Sequence, residues 1–165
     1  SVYQVGLGSI NEEKEINIYE NDDLNSFMPL SSFGNDTFRK DKPVQTDIEL
    51  VKVRRLDEFI RENVSSFEKR RIFLKMDTQG FDLEVFRGAE GIMEQVYGIQ
   101  SEISMKAFYS GIPHWTESIF EYEKNGFTFA GMWPVITSGL SFVEADCLMV
   151  KKESMEDNII KINYI

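Results

Sequence analysis

The 165-residue chain is acidic, with 28 Asp and Glu residues against 18 Lys and Arg and a net charge of −10. This balance argues against nucleic acid and anionic membrane surfaces as partners, because both are bound through clustered Lys and Arg. No apolar run approaches the roughly 18 residues of a membrane span, and Cys147 is the only cysteine. The hydrophobic fraction of 42% suffices for one domain with a sizeable core. We therefore predict a single domain in a reducing compartment, the cytoplasm.

The N-terminal third is predicted to form strands separated by polar segments. Residues 2–7 are expected to form a strand that ends in the run Gly6-Leu7-Gly8, and apolar alternation predicts further strands at residues 15–19 and 47–53. Residues 21–42 are rich in Asn, Asp, Ser, Pro and Gly and are long for a loop. They are predicted to be either a lid over a substrate or a surface connection.

A strand–turn–helix unit follows a predicted helix that starts near Leu56. The apolar run at residues 72–76 has the length of a strand buried on both faces of a sheet. It stops at Asp77, turns at Gly80 and changes to a helical period over residues 82–96, which two glycines divide into two short pieces. Ligands of α/β sheets bind at the carboxyl ends of the strands, so Asp77 is expected to point into that crevice.

The C-terminal part continues the alternation of strands and helices. Residues 97–104 are a predicted strand with Glu102 near its end, and Thr116 is the predicted N-cap of the next helix. Strands at residues 127–132 and 144–151 follow, joined by a loop around residues 137–139. The alternation predicts an α/β fold with a mostly parallel sheet and one antiparallel strand near the C-terminus.

The run Leu74-Lys-Met-Asp-Thr-Gln-Gly-Phe-Asp-Leu-Glu-Val-Phe-Arg-Gly-Ala-Glu90 resembles the hallmark motif of the FkbM family of S-adenosylmethionine-dependent methyltransferases. Weaker matches keep the family's order: Leu56-Asp-Glu-Phe59, Ile99 to Ser104 with Phe108-Tyr109, Asn125-Gly126-Phe127 and Glu144-Ala-Asp146. The resemblance spans nearly the whole chain. It implies a class I (Rossmann-like) methyltransferase sheet within residues 1–152, followed by a C-terminal tail at residues 153–165.

The family's cofactor signature, a glycine loop of the Asp-Val-Gly-Ala-Asn type after the first strand, does not occur in this sequence. Gly6-Leu7-Gly8 lacks a following helix and is interpreted as a turn after the third strand. The resemblance thus implies a partial, N-terminally truncated domain that begins after the first two strands. The strand at residues 72–76 would then have an unpaired edge, which predicts a homo-oligomer through this edge.

The resemblance implies methyl transfer from S-adenosylmethionine to a hydroxyl of a sugar, a glycan or a secondary metabolite. Asp77 is the first catalytic candidate, as general base, as orienter of the acceptor or as ligand of a divalent metal; its structural alternative is to cap the next helix. Glu102, on the neighbouring strand end, could share a proton or a hard cation with Asp77. Gln79 stands where many relatives have Glu and is a candidate for substrate binding.

Three further residues are candidates for the wall of a pocket that binds the acceptor. Tyr109 and Trp115 offer aromatic surfaces, although packing in the core is the alternative role for both. His114, the only histidine, is either a base near neutral pH or an ordinary helix-entry residue. Asp82 is expected to cap and charge its helix, and Cys147 to be a small core residue.

A second hypothesis from another class stays open. The chain could be a non-catalytic α/β interaction module that retains the motif for folding and serves in assembly. Binding of S-adenosylhomocysteine distinguishes this hypothesis from the methyltransferase.

Overall fold

The computed structural model describes residues 2–37 and 43–152. The predicted tail at residues 153–165 and the last part of the predicted lid, residues 38–42, lie outside the described residues. No helix in the described ranges is long and apolar enough to cross a membrane. In chain order the elements are β1 (Gly6–Gly8), β2 (Glu12–Tyr19), α1 (Ser32–Thr37), β3 (Gln45–Arg55), α2 (Leu56–Asn63), β4 (Ile72–Lys75), α3 (Asp82–Arg87), β5 (Val96–Ser104), α4 (Trp115–Lys124), β6 (Phe127–Ser138) and β7 (Ser141–Lys151).

The strands form two mixed sheets. The larger sheet has the order β4-β5-β7-β6, with β4 parallel to β5 and β7 antiparallel to both of its neighbours. The smaller sheet has the order β1-β3-β2, with β1 parallel and β2 antiparallel to β3. The fold is α/β, but antiparallel pairs outnumber parallel pairs. The prediction of a mostly parallel sheet is therefore wrong.

The short connection between β6 and β7 accounts for part of this difference. Only Gly139 and Leu140 separate the two strands, and a connection this short permits antiparallel pairing alone. Gly139 has a φ of +62°, which glycine adopts without steric cost. Pairing continues to Ser138 and Ser141, so the loop predicted around residues 137–139 is mostly strand. The two strands form a long hairpin.

Helices α3 and α4 cover one face of the larger sheet. The Phe86 ring of α3 lies 4.7 Å from the Tyr122 ring of α4 and 5.9 Å from the Phe127 ring of β6, as measured between centroids. Ile99 on β5 joins these rings in the core. Cys147 on β7 is fully buried there, and burial raises the pKa of its thiol to about 11. Cys147 is thus the core residue that the sequence predicted.

Strand β4 lies at the outer edge of this sheet. No other strand in the described part of the chain pairs with its outer side. Ile72 and Leu74 are half-buried against the core, whereas Phe73 on the other face is 57% exposed. The prediction of a strand buried on both faces is therefore wrong for the described residues, because the helices cover only one face here.

Two helix boundaries can be compared with the sequence. Helix α4 begins at Trp115, and its N-cap is His114, whose Nδ1 accepts from the Thr116 backbone N–H at 3.4 Å. Thr116 as N-cap is therefore wrong, since the imidazole takes the role that a hydroxyl usually fills. Helix α3 ends at Arg87 with Gly88 as its C-cap, and a short 3₁₀ turn, Glu90–Ile92, follows it. The predicted division into two helical pieces is confirmed.

Candidate functional site

A cavity of about 610 Å³ opens at the carboxyl ends of β4 and β5. Its wall contains Asp77 and Gln79 from the turn after β4, Glu102 from β5 and Glu144 from β7, together with residues 21–25. The volume lies within the range of ligand pockets, about 300–1,000 Å³. The position is the one at which α/β sheets bind ligands. We call this space the acidic cavity.

The turn after β4 is held in an unusual backbone conformation. Gln79 has a φ of +50° and Gly80 a φ of +92°. A Cβ atom at Gly80 would lie 2.6 Å from Cγ2 of Ile112, so only glycine fits that position. A positive φ at a residue other than glycine costs about 1–3 kcal/mol and is found most often at functional sites. The strain here places the Gln79 side chain in the acidic cavity.

Gln79 links both carboxylates that the sequence selected. Its Nε2 donates to Oδ1 of Asp77 at 3.3 Å and to Oε2 of Glu102 at 3.4 Å. The Tyr109 hydroxyl donates to Gln79 Oε1 at 2.8 Å, and the Ser26 hydroxyl donates to the Gln79 carbonyl at 2.7 Å. Gln79 is therefore fixed on both sides, with its amide nitrogen between the two acids.

Asp82 fixes this turn to the neighbouring strand. Its carboxylate accepts four hydrogen bonds: from the Thr78 backbone at 2.9 Å, the Thr78 hydroxyl at 2.5 Å, the Ser101 hydroxyl at 2.9 Å and the Glu102 backbone at 2.9 Å. The side chain is buried, and burial raises its pKa despite these donors. The predicted cap is therefore wrong: the N-cap of α3 is Phe81, and all four donors to Asp82 lie outside this helix. Asp82 instead sets the position of Glu102 relative to Gln79.

Glu102 has the most perturbed carboxyl group of the cavity. Burial raises its pKa to about 8, and the negative charges of Glu144 and Asp77 act in the same direction. Glu144 is itself only 4% exposed and accepts from the Ser104 hydroxyl at 2.8 Å. Burial also raises the pKa of Glu144. A carboxyl group with a pKa near neutrality can both take up and release a proton under physiological conditions.

Asp77 lies in a different environment. Its Oδ2 pairs with the Lys75 ammonium at 2.8 Å, and both side chains are more than half exposed. Such exposed pairs contribute little to stability, about 0–1 kcal/mol. Asp77 is therefore a charged group at the mouth of the cavity, whereas Glu102 lies deeper.

Asp77 and Glu102 are the metal ligands proposed from the sequence, and the described residues add no further ligand to them. No group of three or more His, Cys, Asp or Glu side chains in residues 2–37 and 43–152 is arranged to hold a metal ion. The Gln79 amide nitrogen donates to both carboxylates and cannot act as a ligand itself. The residues present do not support a metal centre at this place.

The structure brings together some of the predicted site residues and separates others. Asp77, Gln79 and Glu102 line one cavity, and Tyr109 lies buried directly behind Gln79. His114 and Trp115 do not line it: His114 caps α4 with its Nδ1 2.7 Å from the Thr116 hydroxyl, and Trp115 packs against the core.

Sequence reasoning missed two parts of the cavity wall. Glu144 is buried on β7. The signal available in the sequence was an acidic residue between the apolar residues Val143 and Ala145. Residues 21–25 form part of the wall around a short 3₁₀ helix, Asp22–Leu24. The predicted lid is thus partly a fixed wall, and its Ser31 backbone N–H donates to the Phe108 carbonyl at 2.9 Å.

The glycine pair at the N-terminus does not form a cradle for a cofactor. A Cβ atom at Gly8 would lie 2.9 Å from Val53 and 3.1 Å from Phe81, and one at Gly88 would clash with the Gly8 carbonyl oxygen. These glycines permit close packing of β1 against α3, and β1 leads into β2 rather than into a helix. The cavity carboxylates do fit part of S-adenosylmethionine, because they can accept from hydroxyl groups and favour a positive charge.

The described chain is thus an α/β domain whose cavity at the strand ends is lined by acidic side chains, among them the buried Glu144. Residues 2–129 match the family model described as the methyltransferase FkbM domain. The chain therefore belongs to the FkbM methyltransferase family. Comparison with the curated proteins gives no match, and comparison with the solved structures gives none either.

Proposed function

We propose that the protein is an S-adenosylmethionine-dependent O-methyltransferase that methylates a hydroxyl of a sugar, a glycan or a secondary metabolite. The observation that carries this proposal is Glu102, a carboxyl group with a pKa of about 8 that lies against Gln79 in the acidic cavity. Family membership supports the transfer of a methyl group. Hydroxyl acceptors suit a cavity whose wall offers mainly hydrogen-bond acceptors.

The proposed roles follow from the contacts of each side chain. When bound, S-adenosylmethionine supplies the methyl group. Glu102 in its carboxylate form accepts the proton of the acceptor hydroxyl as the oxygen bonds to the methyl carbon and the bond from that carbon to sulfur breaks. The electron pair of the broken bond stays on sulfur. Gln79 orients the acceptor, and Asp77 is proposed to hold a second hydroxyl at the cavity mouth.

The order of the strands supports a class I (Rossmann-like) origin for the larger sheet. The resemblance implies one antiparallel strand near the C-terminus of such a sheet. Strand β7 is antiparallel to both of its neighbours, β5 and β6. We propose that residues 1–152 form a part of such a domain. The single, buried Cys147 supports the cytoplasm as the proposed compartment.

A non-catalytic interaction module is the second candidate. The tight packing around Gly8 favours it, because this segment leaves no room for a ligand in the described chain. The two candidates differ in whether the protein transfers a methyl group.

The proposed activity is tested by transfer of a radiolabelled methyl group from S-adenosylmethionine to a panel of sugars, glycosides and hydroxylated aromatic compounds. The protein is expressed from its complete reading frame, and Glu102→Gln is the matched variant. We expect labelled product with the wild type and a rate lower by about 10²–10⁴-fold in the variant, as is typical for the loss of a general base. Equal rates in both proteins would remove Glu102 from this role.

The outer edge of β4 supports a proposed homo-oligomer. An unpaired strand edge presents backbone groups that can pair with another chain, and Phe73 adds an exposed apolar side chain beside it. We expect the 165-residue protein to self-associate in sedimentation velocity experiments, and Phe73→Lys to weaken this about tenfold. Phe120→Lys, at an exposed phenylalanine of α4, is the control. A wild-type protein that stays monomeric at high concentration would refute the oligomer.

A further inference from the structure

The hairpin of β6 and β7 carries exposed apolar side chains next to the acidic cavity. Trp133 is 53% exposed, Val135 51% and Phe142 39%. Trp133 pairs with Asp146, and Phe142 lies two residues before Glu144 on β7. Because alternate residues of a strand share a face, Trp133 and Phe142 lie on the face that presents Glu144 to the cavity. We call Trp133, Val135 and Phe142 the hairpin strip.

The hairpin strip meets the cavity wall at Val135. On β6, Pro134 pairs with Ala145 and Ile136 pairs with the next residue of β7, Glu144. Val135 is therefore an extra residue on β6, that is, a β-bulge. Val135 and Ile136 both line the cavity. Exposed apolar side chains beside a polar pocket commonly mark a binding surface. The strip therefore extends the cavity onto the hairpin.

The charges of the acidic cavity restrict the ligand further. Asp22, Asp23 and Asp77 line the cavity beside the half-buried Glu102 and the buried Glu144, and its described wall contains no Lys or Arg. A carboxylate or phosphate on the ligand would be repelled there, whereas hydroxyl and amino groups find acceptors. The cavity thus selects a head group without negative charge.

We propose that the methyl acceptor is an amphiphile, with a hydroxylated head group that carries no negative charge in the acidic cavity and an apolar chain along the hairpin strip. This inference rests on the proposed function, because it names the substrate class of the same site. The continuity through Val135 supports a ligand that occupies both regions at once. A second copy of the chain on the strip is the competing occupant.

The test is a calorimetric titration with n-octyl-β-D-glucoside below its critical micelle concentration. Glucose is the probe without a chain, and octyl glucuronide is the probe with an added carboxylate. We expect octyl glucoside to bind at least about tenfold more tightly than glucose, because burial of methylene groups is favourable. We expect octyl glucuronide to bind about tenfold more weakly than octyl glucoside. Equal affinities for octyl glucoside and glucose would overturn the proposal, as would equal or tighter binding of the glucuronide.

Variants locate the binding surface. Trp133→Ser and Phe142→Ser are expected to weaken octyl glucoside binding about tenfold each. Phe120→Ser removes a phenylalanine that is 65% exposed on α4, which packs on the opposite face of the sheet, and is expected to leave binding unchanged. The same loss in all three variants, or in none, would overturn the proposal. Sedimentation that shows Trp133→Ser dissociating a dimer, with unchanged glucoside binding, would assign the strip to a second copy.

These outcomes are separate from those of the methyl-transfer assay, because the titrations need no S-adenosylmethionine. Glucoside binding without methyl transfer would leave the amphiphile site in place and refute the proposed function. Methyl transfer to sugars, with no effect of the alkyl chain or of the strip variants, would support the proposed function and refute the amphiphile site.

Discussion

Replacing Asp82 with alanine is expected to lower the free energy of unfolding by about 3–5 kcal/mol. The four donors from Thr78, Ser101 and Glu102 would lose their common acceptor in a buried place. Each buried donor left without a partner costs about 1–3 kcal/mol. Since a domain of this kind is stable by about 5–15 kcal/mol, the variant should be close to unfolding. Urea denaturation followed by circular dichroism measures the change.

Asp77→Ala is the matched control for this experiment. It removes the same side chain five residues earlier, where it is more than half exposed and pairs only with exposed groups. We expect a loss below about 1 kcal/mol. If Asp82→Ala is as stable as Asp77→Ala, the network does not hold the turn in the way described.

Glu102→Gln is expected to make the protein more stable than the wild type at alkaline pH and equally stable or slightly less stable at pH 5. In the folded protein the Glu102 pKa is about 8, against an ordinary value of 4.5, so the folded state retains a proton that the unfolded chain releases. The contribution of Glu102 is fully present below about pH 4.5 and is lost as the pH rises through 8. The stability of the wild type therefore falls over this window, and glutamine removes that fall.

The size of the effect follows from the shift. The difference of 3.5 between 8 and 4.5 corresponds to an upper limit of about 5 kcal/mol, which partial exposure reduces to about 2–4 kcal/mol.

Denaturation of the wild type and the variant at pH 5 and pH 8.5 measures this change in the free energy of unfolding. The charges of Glu144, Asp77, Asp82 and Asp146 act on Glu102, and all four residues are present in both proteins, so the difference isolates Glu102. Glu68→Gln, at an exposed position, controls for loss of charge. A difference that stays constant with pH would contradict the burial of Glu102.

The unit from β4 to α3 could be predicted from the sequence because its signals are local. A short apolar run, a turn with glycine and a change to helical period fix β4, Gly80 and α3 within some 20 residues. The neighbouring positions of Asp77 and Glu102 followed from the rule that parallel strands end at one edge. Their catalytic roles remain predictions.

The rest of the site depends on pairing between distant segments, which leaves little trace in local patterns. Glu144 reaches the cavity because β7 enters the sheet between β5 and β6, and residues 21–25 reach it through the smaller sheet. His114 and Trp115 are predicted for the pocket from residue type alone, as the only histidine and as an aromatic side chain. Both stand at the start of helix α4, where His114 is the N-cap and Trp115 packs against the core.

Calorimetric titration with S-adenosylhomocysteine tests the central claim most directly. The 165-residue chain and the protein expressed from its complete reading frame are titrated side by side, and circular dichroism confirms that both are folded. The account predicts saturable binding of one molecule per chain by the protein from the complete reading frame, with weaker binding in Asp77→Asn. Absence of binding in both folded proteins would contradict a methyltransferase and leave the interaction module as the function.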